Sequence, residues 1–195
     1  MRLWTVQPIE VWRELKEKGY FICDPMKADY ISDKEYNFKN SYDWLVKQME
    51  YKIGKRPNGV DYPIWAWHTR DWQHKKPDLR NVGLGNKGEK SVCIEIEIPD
   101  NQVVLTDFDA WHYVLNNWYF DNSNNEEEWE KAHQKFDRLD MKKREKIKHQ
   151  SWQNIFNVSP FKNDWFQRGR YIQATFWVLY LKDVKDVRFF TARYI

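Results

Sequence analysis

The polar residues of a late, strand-like segment are the first candidates for chemistry. Residues 171–181 alternate between an apolar face and a face that carries Gln173, Thr175 and Trp177, which is the two-residue period of a strand. An amide or a hydroxyl is costly to bury unless a hydrogen bond satisfies it. Two interpretations follow: the polar side chains satisfy a neighbouring loop, or Gln173 points into a pocket with aromatic walls.

A second polar group lies at 107–112, where the sequence DFDAWH predicts the start of a helix. His112 follows Asp109 by three residues, so the two side chains share a helix face. A nearby carboxylate fixes a histidine tautomer and raises its pKa, which suits a general base or a ligand contact. In that case Trp111 supplies an adjacent aromatic wall. The alternative is that the two carboxylates only cap the helix.

A third group is the sequence WAWHTR at 65–70, which predicts a strand with a basic end. Alternation places Trp67 on one side and His68 and Arg70 on the other, next to the small Ala66. The small residue leaves room for a ligand, and an arginine binds phosphate or carboxylate through two parallel hydrogen bonds. The alternative is an edge strand with solvated charges.

The chain has no strong catalytic or metal-binding motif. A phosphate-binding loop, a dinucleotide fingerprint, an HExxH sequence and a paired CxxC are all absent from it. The spacing of His68 and His74 is only weak evidence for a metal, and we predict no metal site. Cys23 and Cys93 match no zinc or redox spacing, and we expect Cys93 to be a small buried apolar residue.

Composition limits the class of protein and identifies one unusual feature. The 195 residues fit one domain, and the net charge of +3 neither demands nor excludes a nucleic-acid partner. No apolar run approaches the roughly 18–20 residues of a membrane span, so we expect no membrane partner. The two lone cysteines and the many lysines favour a reducing, cytoplasmic location. The unusual feature is the 12 tryptophans, a residue type that serves core packing, ligand stacking or partner binding.

Helices and strands must position these residues, and their order predicts the fold class. We predict strands at 2–6, 62–69, 91–98, 103–105, 171–181 and 184–190, and helices at 8–19 and 38–54. The strand at 91–98 is the clearest, and the polar segment 70–90 is predicted to be a mobile loop. The result is an α+β fold: a mixed or antiparallel sheet of about six strands with packed helices. We expect a single domain over 1–195, with a helical insertion at 123–158.

Several motifs together resemble a known family. They are LWTVQP before the first helix, VLTDFDAWHYVLN, SWQNIF, and QATFW followed by VKDVRFF. The combination spans nearly the whole chain and is similar to an uncharacterised bacterial family, the one catalogued as domain of unknown function 3841. This resemblance implies a shared fold but no settled activity.

More distantly, the order of the elements resembles that of ADP-ribosyltransferase-like toxins that modify nucleic acid. In such enzymes a late strand carries a glutamate that assists transfer from NAD, and the comparable residue here is Gln173. A neutral amide cannot act as that carboxylate. The resemblance implies that Trp4 and Thr5 border a nicotinamide site, that Arg70 meets the phosphates, and that NAD is the candidate cofactor.

Two functional hypotheses follow from these residues. The first is a pocket protein or enzyme for a nucleotide-like ligand, with Gln173 and His112 as the candidate catalytic residues. Its candidate binding residues are Trp4, Thr5, Trp67, His68, Arg70, Asp109, Trp111, Thr175 and Trp177. The second is a module for single-stranded nucleic acid, in which exposed tryptophans stack on bases and Lys142–Lys148 follows the backbone, or else a protein-interaction module. Trp12, Trp129 and Trp152 lie on helical stripes and are predicted to be core.

Overall fold

The computed structural model describes residues 1–28, 38–80, 84–85 and 88–193, and both strands and helices occur along this part of the chain. The strands are β1 (Arg2–Pro8), β2 (Tyr20–Phe21), β3 (Ile64–Thr69), β4 (Lys90–Glu97), β5 (Val104–Asp107), β6 (Phe161–Lys162), β7 (Gln167–Arg168), β8 (Ile172–Phe176), β9 (Leu179–Tyr180) and β10 (Val184–Thr191). The α-helices are α1 (Ile9–Lys18), α2 (Lys39–Ile53), α3 (Phe108–Leu115), α4 (Glu126–Asp137) and α5 (Met141–Ser151). Short 3-10 segments lie at Pro25–Lys27, Asp100–Gln102, Trp152–Phe156 and Leu181–Asp183. Within these residues, no helix has an apolar stretch long enough to cross a bilayer.

Six of the strands form one antiparallel sheet in the order β10-β4-β1-β3-β8-β5. The remaining strands pair as β2 with β9 and β6 with β7. The predicted α+β class with a six-stranded sheet is therefore confirmed. The predicted strand at 91–98 is β4. Its alternate residues Val92, Ile94 and Ile96 are fully buried in one core, and the cross-strand partner of Glu95 on β1 is Trp4.

The first face of the sheet packs against α1. Leu15 of this helix is fully buried in a core that includes Leu3, Ile94 and Phe176 from three different strands. The helix follows Pro8, which is preorganised for a helix start. It ends at Gly19, whose φ of 79° lets its N–H reach Leu15 O.

The second face of the sheet carries a separate, aromatic core beneath α2, α3 and the 3-10 segment Trp152–Phe156. Trp111 is buried there with its ring centroid 5.6 Å from Tyr42 and 5.4 Å from Trp65. Trp177 is also buried in this core, and Trp152 joins it through a hydrogen bond from Nε1 to Trp118 O. Such offset and edge-to-face pairs add to the stabilisation that burial alone provides.

A polar network occupies part of the same face beside β4. Glu95 is only 7% exposed, and it accepts a hydrogen bond from Trp4 Nε1 at 3.1 Å. Lys76 pairs with it at 3.2 Å and with Asp186 at 2.7 Å, while Arg2 lies 3.5 Å away. These partners compensate the carboxylate for its lost hydration.

The predicted long strand 171–181 is wrong in one respect, because the chain leaves the large sheet after Phe176. Trp177 packs in the aromatic core, and Leu179 packs in the core on the face of the sheet that α1 covers. In a regular strand, residues two apart would lie on the same face. Leu179 and Tyr180 then pair with β2, and the 3-10 segment Leu181–Asp183 makes the turn into β10.

The helical region also differs in detail from the prediction. Within the predicted insertion, residues 141–151 form the separate helix α5, whose start is capped by the Asp140 carboxylate through a hydrogen bond from Lys143 N. Trp129 was predicted to be core, yet it is 41% exposed because α4 buries none of its side chains. The predicted mobile loop 70–90 lies outside the described residues at 81–83 and 86–87.

Candidate ligand-binding site

A cavity of about 390 Å³ lies against β1, β3, β4 and β8, bordered by the start of α3 and by Leu84, Gly85 and Glu89. Its polar and aromatic walls come from separate stretches of the chain. They include Gln7, Trp67, Ser91, Phe108 and Gln173. We call this space the Trp67 cavity.

Trp67 is the central aromatic wall of the cavity. It is half-buried, and its ring centroid lies 5.3 Å from that of Phe108. The guanidinium carbon of Arg70 lies 4.6 Å from the centroid of the Trp67 ring, within the range of a cation–π contact. The indole therefore contacts both a second ring and a cation.

Arg70 carries a hydrogen-bond donor without a partner. Its Nη1 is buried and makes no hydrogen bond within the described part of the chain, and burial lowers the pKa of its guanidinium. A buried N–H without an acceptor costs free energy. This nitrogen is therefore a donor that an anionic acceptor within its reach would satisfy.

The turn after Arg70 holds an uncommon backbone conformation. Asp71 and Trp72 have φ values of 49° and 67°, and Gln73 N donates to Arg70 O at 3.1 Å. Two consecutive positive φ values are the pattern of a type I′ turn, which favours Asn and Gly. Placing Asp and Trp there is strained, and the turn fixes the base of the Arg70 side chain.

Gln173 and Ser91 present unpaired polar groups to the cavity. Strand register places Gln173 opposite Trp67 on β3 and opposite Thr106 on β5. Its half-buried amide has no hydrogen-bond partner within the described residues, and the same is true of the buried hydroxyls of Ser91 and Thr106. A buried hydroxyl normally finds a partner. The cavity lining thus combines aromatic rings with unsatisfied neutral polar groups.

Three of the predicted site residues make hydrogen bonds within the fold and do not line the cavity. The Thr5 hydroxyl donates to Trp65 O at 2.8 Å and accepts from Gln7 Nε2 at 2.7 Å. The Thr175 hydroxyl donates to Val104 O at 3.3 Å, and the Trp4 indole is bound to Glu95. Their hydrogen bonds are those of strand-to-strand connections.

The residues of the predicted 107–112 group lie in different environments and do not form one site. Trp111 is buried in the aromatic core together with Trp177, another predicted wall residue. Asp109 and His112 are exposed on α3. The His112 ring lies 4.8 Å from the Phe108 ring, with Nδ1 2.9 Å from Phe108 O. His112 therefore stands next to the ring that lines the cavity, and not in the cavity itself.

His68 lies near the end of β3, two residues before the turn that begins at Arg70. Its Nδ1 is 2.8 Å from Thr69 Oγ1, and its ring centroid is 4.1 Å from that of His74. Burial, followed by the effect of His74, lowers the pKa of His68 to about 4. In the described ranges, no three His, Cys, Asp or Glu side chains are grouped to hold a metal.

Among the predicted residues, the structure thus places Trp67 and Gln173 in the cavity lining, and Arg70 lies beside the cavity against the Trp67 ring. The lining also includes residues that the sequence did not identify. Phe108, the first residue of α3, is half-buried at the cavity. Ser91 carried a usable signal, since alternation along β4 places it on the same side as Glu95. Glu89 and Gln7 lie near strand ends, where the sequence alone does not indicate which face of the sheet a side chain points to.

Comparison with known proteins gives one match. The model of the family described as domain of unknown function (DUF3841) matches residues 2–185 of the chain. Neither the curated proteins nor the solved structures contain a significant match.

Proposed function

We propose that this chain, which belongs to the DUF3841 family, binds a nucleotide-like ligand in the Trp67 cavity, with NAD as the first candidate. One observation carries the proposal: a half-buried indole contacts a second ring and a guanidinium, and it lies opposite a residue whose amide has no partner within the described residues. A ligand with a flat heterocycle and an anionic group would satisfy these groups together.

Ring stacking would supply much of the binding free energy. Trp67 and Phe108 offer exposed ring surface at the cavity, and stacking of a base on an aromatic side chain contributes about 1–3 kcal/mol. The volume of about 390 Å³ falls in the usual range for small-molecule sites. It suits a heterocycle with its ribose better than a long polymer.

Polar groups would orient the ligand. The Gln173 amide has both a donor and an acceptor, which matches the edge of a nucleobase or a carboxamide such as that of nicotinamide. The unpaired Arg70 N–H would meet a phosphate oxygen. Under this proposal Gln173 and Arg70 define the two ends of the ligand.

The relation to ADP-ribosyltransferases remains part of the proposal and shapes its chemistry. Gln173 cannot replace a glutamate that assists transfer, so we assign it a binding role. Among the described residues that line the cavity, Glu89 supplies a carboxylate. A transfer reaction would therefore depend on Glu89, and simple binding would not.

The test is a thermal melt with NAD, AMP and adenosine at millimolar concentration. A ligand at ten times its Kd adds roughly 1.4 kcal/mol of stability, or about 3–5 °C in Tm for a chain of this size. We expect this shift in the wild type and in Trp118→Ala, whose ring is exposed outside the cavity. Trp67→Ala and Gln173→Ala should lose it, and the absence of any shift in the wild type would refute the proposal.

Single-stranded nucleic acid is the competing ligand, and salt separates the two. If the protein binds single-stranded nucleic acid along Lys142–Lys148, its affinity for an oligonucleotide should fall steeply as the salt concentration rises. The cavity proposal predicts nucleotide binding that Trp67→Ala abolishes and that changes little with substitutions of these lysines. Oligonucleotide binding without mononucleotide binding would favour the competing function.

A further inference from the structure

A second, smaller cavity of about 210 Å³ lies between α4 and the hairpin formed by β6 and β7. Its walls are mainly aromatic and include Tyr113, Trp129, Trp165 and Phe166, with Asp121 among them. We call it the Asp121 cage. It shares no lining residue with the Trp67 cavity.

Two tryptophans flank this cavity although they lie at the surface. Trp129 is 41% exposed and Trp165 is 47% exposed, whereas large aromatic side chains usually bury most of their area. Behind them, Tyr113 and Phe166 both contact Phe120, at centroid distances of 4.6 Å and 5.9 Å. The inner wall is therefore fixed by the core, and the outer wall is open to a ligand.

Asp121 places a buried carboxylate in this aromatic surround. Its side chain is 5% exposed, and Oδ1 accepts a hydrogen bond from Ser123 N at 2.8 Å. Oδ2 lies 3.6 Å from His133 Nδ1, but the same nitrogen is 3.0 Å from Trp129 O. Across the described ranges, Asp121 has no lysine or arginine within 4.0 Å. A buried carboxylate without a strong cationic partner is costly, and a bound cation would offset that cost.

The two sides of the cage are held together by Asn163. Its Nδ2 donates to Asn124 O at 2.7 Å, just before α4. Its Oδ1 accepts from Trp165 N at 2.9 Å and from Phe166 N at 2.6 Å. Asn163 thus holds the backbone that carries Trp165 and Phe166 close to the residue before α4, and a preformed arrangement lowers the entropy cost of binding.

We propose that the Asp121 cage binds a methylated ammonium group. Aromatic faces attract such a cation through their quadrupoles, and Asp121 supplies the opposite charge. A bare metal ion does not fit, because within the described residues no three ligand-type side chains come together. A trimethylammonium group is apolar at its surface, so it fills an aromatic cavity better than a strongly hydrated ammonium does.

The test is calorimetric titration of the full chain with tetramethylammonium, choline and 3,3-dimethyl-1-butanol, the neutral isostere of choline. We expect saturable binding of both cations and at least tenfold weaker binding of the isostere. Equal binding of choline and its isostere, or no saturation with either cation, would overturn the proposal.

Variants locate the binding to the cage. Trp165→Ala and Asp121→Asn should each weaken choline binding at least tenfold, the latter while Asn keeps an acceptor for Ser123 N. Tyr51→Ala, which removes a ring that is 88% exposed elsewhere, should leave binding unchanged. If Asp121→Asn fails to fold, the exposed Trp165 still provides the test, and wild-type affinity in Trp165→Ala would contradict the proposal.

The ammonium group could belong to a free small molecule or to a modified lysine, and a further titration distinguishes the two. A short peptide with one trimethyllysine that binds more tightly than choline, and more tightly than its unmodified form, identifies a protein side chain. Choline that binds more tightly than the peptide identifies a small molecule. Failure of both cations to bind rejects the cage as a cation site.

Discussion

At the scale of single residues, polar groups that are buried without partners lie in the Trp67 cavity and beside it. The Arg70 Nη1 and the Ser91 hydroxyl are two such groups, and each costs the folded state about 1–3 kcal/mol if water does not reach it. Groups of this kind persist at binding sites because a ligand satisfies them. Replacing one of these groups should therefore weaken ligand binding while changing the unfolding free energy of the protein only slightly.

Arg70→Met tests this expectation. The lost cation–π contact with Trp67 costs about 0.5–1 kcal/mol, and removal of the unpaired donor offsets it, so the unfolding free energy should change by less than about 1 kcal/mol. The affinity for AMP should fall about tenfold while the affinity for adenosine, which lacks a phosphate, stays the same. Titration of both ligands into both proteins measures the difference, and an equal loss for adenosine would show that Arg70 does not meet the phosphate.

His68 is expected to make the protein less stable as the pH falls. Its pKa is lowered to about 4 by burial and by His74, against about 6.5 in an unfolded chain. Between these values the unfolded state binds the proton and the folded state does not, so stability present above pH 6.5 is lost as the pH falls towards 4. The full shift corresponds to roughly 3 kcal/mol, and we expect about 1–2 kcal/mol because the ring remains partly solvated.

Urea unfolding at pH 7.5 and pH 4.5 measures the effect of His68. The difference in unfolding free energy between the two pH values should shrink by about 1–2 kcal/mol in His68→Gln. The matched control is His112→Gln, at an exposed histidine on α3, which should leave the difference as it is in the wild type. An unchanged difference in His68→Gln would show that burial of this ring does not control the acid sensitivity.

At the scale of elements, the link between β7 and β8 holds the start of α3 in place. Gly169 N donates to Asp107 Oδ2 at 2.6 Å, while Asp107 Oδ1 accepts from Ala110 N and caps the helix. Burial raises the pKa of Asp107, and these backbone hydrogen bonds oppose the rise. One carboxylate thus ties the strand end, the helix and the glycine together, and it positions Phe108 beside the cavity.

Gly169→Ala should be markedly more destabilising than Gly59→Ala. The two glycines have φ values of 81° and 79°, so the backbone cost of a side chain is the same in both, about 1–2 kcal/mol. A Cβ at 169 would lie 2.9 Å from Val158 O and 3.2 Å from Pro160 Cα, whereas none of the described atoms lies within 4 Å at 59. We expect overpacking to add about 1–3 kcal/mol at 169. Chemical denaturation of the two variants gives the comparison, and equal values would argue against a rigid link.

At the scale of the whole molecule, the helical insertion proposed at 123–158 divides into a dispensable part and a core part. Helix α4 buries no side chain and α5 buries only Lys148 and Ser151. Trp152 and Ile155, in contrast, belong to the aromatic core. The chain also closes on itself here, because Phe120 N donates to Ser151 Oγ at 3.0 Å.

Replacement of residues 124–146 by a short glycine–serine linker should leave a folded protein. We expect a loss of about 1–3 kcal/mol, equivalent to about 3–10 °C in Tm, since the Tyr119 ring loses its stacking partner Phe136. Nucleotide binding should persist and choline binding should disappear with Trp129. A non-cooperative melt would show that the insertion is part of the folding unit.

The sequence predicted those features that depend on local periodicity. The strand β4 and the helix ends at Gly19 and Gly54 depend on residues that are adjacent in the sequence. The fold class could therefore be predicted from such local patterns. The pairing of Trp67 with Gln173 depends on strand register between segments about a hundred residues apart, which periodicity does not determine. For the same reason Trp4 and Trp177 could not be separated from Trp67: all three alternate with polar residues, and only tertiary packing decides which ring meets solvent.

The most direct test of the account is ¹⁹F NMR of protein labelled with 5-fluorotryptophan. The 12 tryptophans give separate signals, and Trp67→Phe identifies the one from Trp67. When NAD or AMP is added, we predict that the Trp67 signal shifts in a saturable manner, while those of the core residues Trp111 and Trp152 stay in place. A spectrum unchanged at millimolar nucleotide, or one in which other tryptophans shift and Trp67 does not, would contradict a nucleotide site at the Trp67 cavity.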